Sequence, residues 1–215
     1  MIIKVCGMRD PDNIRAVEQQ CGPDWMGMIA YPRSPRYVSG TPTRLPLRAM
    51  RWGVFVNAPL DEILRQAEAW KLQGIQLHGS ETPDLCLALR QRGFRVMKAL
   101  GLLTPDDVDK TNTYADCCHY LLFDTPCTSH GGSGRTFNWQ LLDLYQGHTP
   151  FLLSGGIGPD SLPALRKLHH PQWAGIDLNS RFETAPGLKD VTLLRNFIQG
   201  VRRSFPKAGA NSIRQ

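Results

Sequence analysis

Eight short apolar runs recur along the 215-residue chain, each separated from the next by a helical pattern or a loop, with no break in composition between them. The runs fall at residues 2–6, 25–30, 51–57, 74–78, 94–100, 120–124, 150–154 and 173–178. Apolar residues at helical spacing occupy 11–20, 60–72, 83–91 and 189–204. Weaker helical patterns lie at 104–115, around Trp139, Leu141, Leu142 and Leu144, and in the stretch ending at Leu168. Short strands alternating with crossovers at even spacing predict a single-domain α/β protein, an eight-stranded parallel β/α (TIM) barrel over residues 1–205 with a loose tail at 206–215. An open doubly wound sheet is the alternative. The two differ in whether strand eight pairs with strand one.

Punctuation supports these boundaries. Asp10-Pro11 reads as a helix start, with Asp as N-cap and Pro as first helical residue. Residues 31–46 are rich in proline, serine, threonine and arginine, which predicts a long loop after strand two in place of a helix. A second polar loop is expected at 125–135, after strand six.

Composition narrows the class of molecule. Hydrophobic residues make up 41% and charged residues 20%, an ordinary globular balance. There is no apolar run of membrane-spanning length, and residue 2 enters a strand directly in place of a secretion signal, so a cytoplasmic protein with no membrane contact is expected. The cysteines, at 6, 21, 86, 117, 118 and 127, form no CxxC pair and lack histidines at zinc-ligand spacing, which predicts reduced thiols and no metal. The net charge of +6 is scattered, without a basic block or interleaved aromatics, which argues against nucleic acid and leaves a small anionic substrate or plain solvated surface to account for it.

In a parallel barrel the carboxyl ends of the strands line the active face. These runs deliver Cys6, Asn57, His78, Asp124, Ser154 and Asp177 there. Such polar residues either work on a ligand or cap helices and hold loops, and both readings stand for Asn57 and His78. Ser154-Gly155-Gly156-Ile157-Gly158, just before a helical pattern, offers unobstructed amides for an anion, and Asn179-Ser180-Arg181 beyond strand eight would complete the cup. Cys6 and Asp124, on strands one and six, form an acid/base pair if the thiol ionises easily and the carboxyl holds its proton. Strand alternation puts Lys4 on the face of Cys6, about 7 Å away. It would either favour the thiolate or pair with a barrel carboxylate.

These stretches resemble the phosphoribosylanthranilate isomerases of tryptophan biosynthesis. The resemblance runs from Lys4 to Asp190 and is carried by KVCGMRD, SPRYV, GVFVN, QLHGSE, LLFDT, GGSGRTFNW, LSGGI, GIDLNSRFE and PGLKD, in that order. It implies a cofactor-free, metal-free Amadori rearrangement of a phosphoribosyl substrate, with Cys6 as general base and Asp124 as general acid. Arg36 would meet the anthranilate carboxylate, Gly155, Gly156 and Ser180 the phosphate, and Asp177 the sugar hydroxyls, with His78 also in the substrate site. The sequence departs from the family pattern at Asn138 and Arg181, where aspartate and glycine are more usual, and in the crossover at 39–48, which lacks a helix. Related phosphosugar barrels fit less well: the isomerase of histidine biosynthesis would carry an aspartate at position 6, and the indole-forming synthase a catalytic lysine and glutamates at strand ends. A non-catalytic phosphate-binding barrel would not need Cys6, Asp124 and Arg36 together.

Overall fold

The structure is a computed structural model that describes residues 1–124 and 139–206. Eight strands, β1 (Ile2–Val5), β2 (Trp25–Ile29), β3 (Met50–Phe55), β4 (Gly74–Leu77), β5 (Arg95–Gly101), β6 (Tyr120–Asp124), β7 (Phe151–Leu153) and β8 (Trp173–Leu178), pair in parallel and in sequence order. The ring closes through β1 and β8, with Ile2 opposite Gly175, Lys4 opposite Asp177 and Val5 opposite Leu178. That pairing settles the architecture as a closed barrel and rules out the open sheet. No described helix is long and apolar enough to cross a membrane.

The crossovers carry helices α1 (Pro11–Cys21), α2 (Leu60–Ala69), α3 (Pro83–Gln91), α4 (Pro105–Asp109) and α5 (Leu162–Leu165), and α6 (Val191–Ser204) is the last described element. Asp10 caps α1 as its sequence predicts, accepting from the Asn13 amide at 2.7 Å. Three crossovers are less regular than their patterns suggest. The segment at 104–115 splits into α4 and a 3-10 stretch at Lys110–Tyr114, and Trp139–Leu144 is also 3-10. The helix before Leu168 shrinks to a 3-10 turn, Pro159–Ser161, and the four residues of α5, because Pro163 supplies no amide to extend it. The expected 60–72 helix stops at Ala69, and Lys71 takes a left-handed φ of 50° that turns the chain toward β4.

The β2–β3 crossover is a loop, as its prolines require, yet it is tied down. The Glu18 carboxylate accepts from the amides of Leu47, Arg48 and Ala49 at 2.7–3.1 Å, and Trp70 donates its indole N–H to Gly40 at 2.9 Å. Near Arg36, Tyr37 bridges to Ile29 and the Val38 amide donates to the Ile29 carbonyl at 2.9 Å. The loop that presents Arg36 is therefore anchored at both ends.

One element has no counterpart in the periodicity. Strands β9 (Glu183–Ala185) and β10 (Leu188–Lys189) form a small antiparallel hairpin beside β8. It takes Lys189 out of the last helix, which begins at Val191 with Asp190 as its cap, accepting from the Leu193 amide at 2.9 Å. Inside the barrel, Trp25, Trp52, Met97, Leu122 and Leu152 fill the end at which the strands begin, while a larger cluster packs between strands and helices. Side chains thus fill that end of the barrel, and the polar cavity lies at the other, toward the carboxyl ends of the strands.

Candidate active site

A cavity of about 180 Å³ opens at the carboxyl ends of the strands. Cys6, His78, Asp124, Ser154, Gly155, Gly156, Asp177, Asn179, Ser180 and Arg181, all expected at a site, line it, joined by Gln76. Strand geometry explains the gathering. The Cys6 amide donates to the Leu178 carbonyl at 2.9 Å, so β1–β8 pairing runs on to the thiol and fixes it at the mouth.

Lys4 and Asp177 are neighbours in the β1–β8 register, and the Lys4 ammonium meets Asp177 Oδ2 at 2.7 Å with both side chains buried. Of the two roles open to Lys4, pairing with a barrel carboxylate is the one formed. Gly27 on β2 makes room for this arrangement, since a Cβ there would stand 2.9 Å from Cys6 Sγ and 3.2 Å from Lys4 Nζ. The Cys6 thiol is pushed up from its ordinary acidity: burial raises it first, Lys4 pulls it down, and Asp177 pushes it up again. Easy ionisation of the thiol, expected from Lys4 alone, is thus corrected, because burial together with the Asp177 charge outweighs the pull of Lys4.

Asp124 departs from expectation in the opposite sense. Burial raises its carboxyl, but the His78 imidazole, a hydrogen bond from Ser154 and the Lys4 charge outweigh this and hold it below the usual carboxylate range. His78 Nε2 lies 3.2 Å from Asp124 Oδ2, and Gln76 Nε2 lies 3.1 Å from His78 Nδ1. With the Gln76 amide donating to Nδ1, this pattern assigns the imidazole proton to Nε2, where it is donated to Asp124. A chain of Gln76, His78 and Asp124 therefore runs along the mouth of the barrel. Gln76 went unnoticed in the sequence, although its place two residues before His78 on β4 puts both on the inner face.

Two buried acceptors lack a partner among the described residues, Asp177 Oδ1 and Gln76 Oε1, and both residues line the cavity. Buried oxygens of this kind call for donors such as hydroxyls. On the far side, Gly155 and Gly156 adopt successive left-handed φ values of 77° and 68°, forming a tight turn free of Cβ atoms at the wall of the cavity. The helical pattern expected after this turn is only a 3-10 turn and the four residues of α5, so the turn's own amides, and not a long helix, face the cavity. Arg181 stands on the same lip, exposed, where its guanidinium can reach an anion held by the turn.

Arg36 is placed beside the cavity and does not line it. Its guanidinium grips Glu183 on β9 through Nε at 2.9 Å and Nη2 at 2.7 Å. The Arg36 side chain crosses Gly7, whose φ of 75° and missing Cβ admit its Cδ. Lys189 donates to Glu183 at 2.6 Å and to Asn179 at 2.7 Å, tying this cluster to the loop that carries Ser180. Asn57, in contrast, holds structure: its side chain accepts from the Ser80 amide at 2.7 Å, and its amide donates to Glu81, which is ion-paired with buried Lys98 at 3.0 Å. Asn138 and the Gly131-to-Trp139 motif fall outside the described residues, except Trp139 itself.

A closed parallel barrel, solid at one end and polar at the carboxyl ends of its strands, has the build of a barrel enzyme. A family model described as N-(5'phosphoribosyl)anthranilate (PRA) isomerase matches residues 3–200. The chain belongs to that family and is an isomerase, an enzyme of tryptophan biosynthesis. The N-(5'-phosphoribosyl)anthranilate isomerase of Phocaeicola vulgatus is 52% identical over 205 residues, covering 95% of this chain and 100% of the relative. That of Parabacteroides distasonis is 48% identical over 215 residues, 97% of each. Among solved structures, phosphoribosyl anthranilate isomerase from Thermotoga maritima superposes with a TM-score of 0.80 at 30% identity, covering 94% of this chain and 100% of that one. A phosphoribosyl anthranilate isomerase in complex with reduced 1-(o-carboxyphenylamino)-1-deoxyribulose 5-phosphate gives a TM-score of 0.77 at 28% identity, with the same coverage.

Proposed function

We propose that this chain converts N-(5-phosphoribosyl)anthranilate to 1-(2-carboxyphenylamino)-1-deoxyribulose 5-phosphate, with Asp124 as general acid and Cys6 as general base. The observation that carries the reading is the meeting of both groups in one cavity with the Gly155-Gly156 turn and Ser180. The phosphate binds at that turn, assisted by Arg181. The sugar hydroxyls donate to the unpartnered oxygens of Asp177 and Gln76. Arg36 turns its remaining N–H edge, which has no partner among the described residues, toward the anthranilate carboxylate, while Glu183 fixes the plane of the guanidinium.

Asp124 gives its proton to the furanose ring oxygen as the ring opens to a protonated Schiff base. Cys6 then takes the C2′ proton, the electron pair moves toward nitrogen, and the resulting enolamine tautomerises to the ketone. Carbon 1′ is reduced and carbon 2′ oxidised within one molecule, so no external redox partner enters.

The resting protonation is the reverse of the one these steps start from, since Cys6 holds its proton and Asp124 has released its own. The two states carry the same number of protons. Covering the half-exposed Asp124 with the sugar adds to the desolvation that raises it, which favours transfer of the proton to the carboxylate. The test of the function is loss of the fluorescence of freshly prepared N-(5-phosphoribosyl)anthranilate on adding the protein. Substrate that stays unchanged would overturn it.

A further inference from the structure

Outside the cavity, Cys86, Cys117 and Cys118 come together, with their sulfur atoms all within 4.8 Å of one another. Cys86 lies on α3 and the other two in the turn that enters β6, some thirty residues later, so no sequence spacing announces the group. All three are buried, at 0%, 4% and 5% exposure, and none lines the cavity of the proposed reaction. It is the one such group of metal-ligating side chains found among the described residues.

The support is rigid. Arg90 of α3 donates to the Asp116 carbonyl, and Thr149 donates its hydroxyl to the Ala115 carbonyl at 2.7 Å, so the turn is clamped from two sides. The Cys117 and Cys118 amides both donate to the Tyr114 carbonyl, at 3.3 and 3.2 Å, which sets the two adjacent residues on one tight bend. Sulfurs arranged at about 2.3 Å around one ion in a trigonal plane stand about 4 Å apart. The cluster needs only side-chain adjustments to reach that figure.

We propose that Cys86, Cys117 and Cys118 form a binding site for one soft, thiophilic cation of the cuprous type. Thiolates select soft ions, and oxygen-seeking cations such as Mg²⁺ and Ca²⁺ are excluded by the donor set. Zinc would want a fourth ligand, and no histidine, aspartate, glutamate or further cysteine joins the group among the described residues. A cuprous ion is satisfied by three sulfurs. On binding, each thiol that becomes a ligand gives its proton to the solvent. The bound ion would staple α3 to the start of β6 at a distance from the catalytic groups.

The experiment is anaerobic loading of the full chain with Cu⁺, followed by desalting against a competing chelator and X-ray absorption at the copper edge. One equivalent retained, with a first shell of three sulfurs, is the expected result. Cys86→Ala and Cys118→Ala should each lose at least tenfold in retained copper, while Cys21→Ala keeps it. The absorption spectrum of the wild-type protein decides the question even if a cluster variant fails to fold. No retained copper, a shell containing nitrogen or oxygen, or equal retention by Cys86→Ala would each overturn the proposal.

Discussion

A thiol that keeps its proton beside a carboxylate that has lost one gives the rate a distinctive dependence on pH. The form competent for catalysis is a tautomer of the resting pair, so activity persists wherever the pair holds one proton in total. It falls on the acid side as Asp124 is protonated, at a value held below the usual carboxylate range, and on the alkaline side as Cys6 ionises, above the usual thiol range. The profile of kcat/KM should therefore be flat across neutral pH, with both limbs displaced outward. Limbs drawn inward toward neutrality would contradict this. The same electrostatics makes Asp177 a brake on the thiol. In Asp177→Asn the repelling charge is gone and Lys4 acts on Cys6 unopposed, so the pH at which Cys6 becomes open to alkylation should fall; an unchanged or higher value would show that Lys4 and Asp177 do not set it. Strand parity was enough to place Lys4 inside the barrel with Cys6. It could not reveal that Asp177, 173 residues away, would claim the lysine first, because register between the first and last strands is a property of the closed ring.

The β9–β10 hairpin is the element that the sequence conceals most fully. Its strands are three and two residues long with an irregular register, too short for an alternating pattern to stand out. Yet it brings Glu183 between Arg36 and Lys189, and so orients the guanidinium proposed for the substrate carboxylate. Burial raises the Glu183 carboxyl, but Arg36 and Lys189 outweigh it and lower the folded-state value. The stabilisation is then fully present above the unfolded value, about 4.3 for a glutamate, and is lost as pH falls through the lower folded one. Glu183→Gln should cost on the order of 3 kcal/mol at pH 7 by denaturant unfolding, since it leaves two cations poorly matched, and the gap to wild type should close in acid. A gap that stays constant with pH would assign the cost to packing. On the phosphate lip, Arg181→Ala should raise KM several-fold with little change in kcat, the signature of binding shared by ground and transition states. An equal loss in kcat would place Arg181 in the chemistry.

Closure of the barrel is what turns eight separate strand ends into one site. The alternation of short strands and crossovers was readable directly, and so was the delivery of Cys6, His78, Asp124, Ser154 and Asp177 to the mouth, whereas Gln76 was not and Asn57 serves the loops instead. The irregular crossovers were not, because four-residue helices and 3-10 turns are decided by prolines and by packing against the barrel more than by periodicity. Gly175 lies opposite Ile2 at the closing seam, and a Cβ there would press on the Ile2 carbonyl oxygen. Gly175→Ala should destabilise the chain by about 1–3 kcal/mol, read as a lowered midpoint of unfolding, and an unshifted midpoint would mean that the seam has slack. Across the mouth that this seam completes, the central claim is that Cys6 and Asp124 exchange protons with the substrate. Its most direct test is the single-turnover rate of N-(5-phosphoribosyl)anthranilate conversion by Cys6→Ser and Asp124→Asn beside the wild-type protein. The account predicts that each variant loses about 10² to 10⁴ in rate while still binding the product, and a rate near that of wild type in either would contradict it.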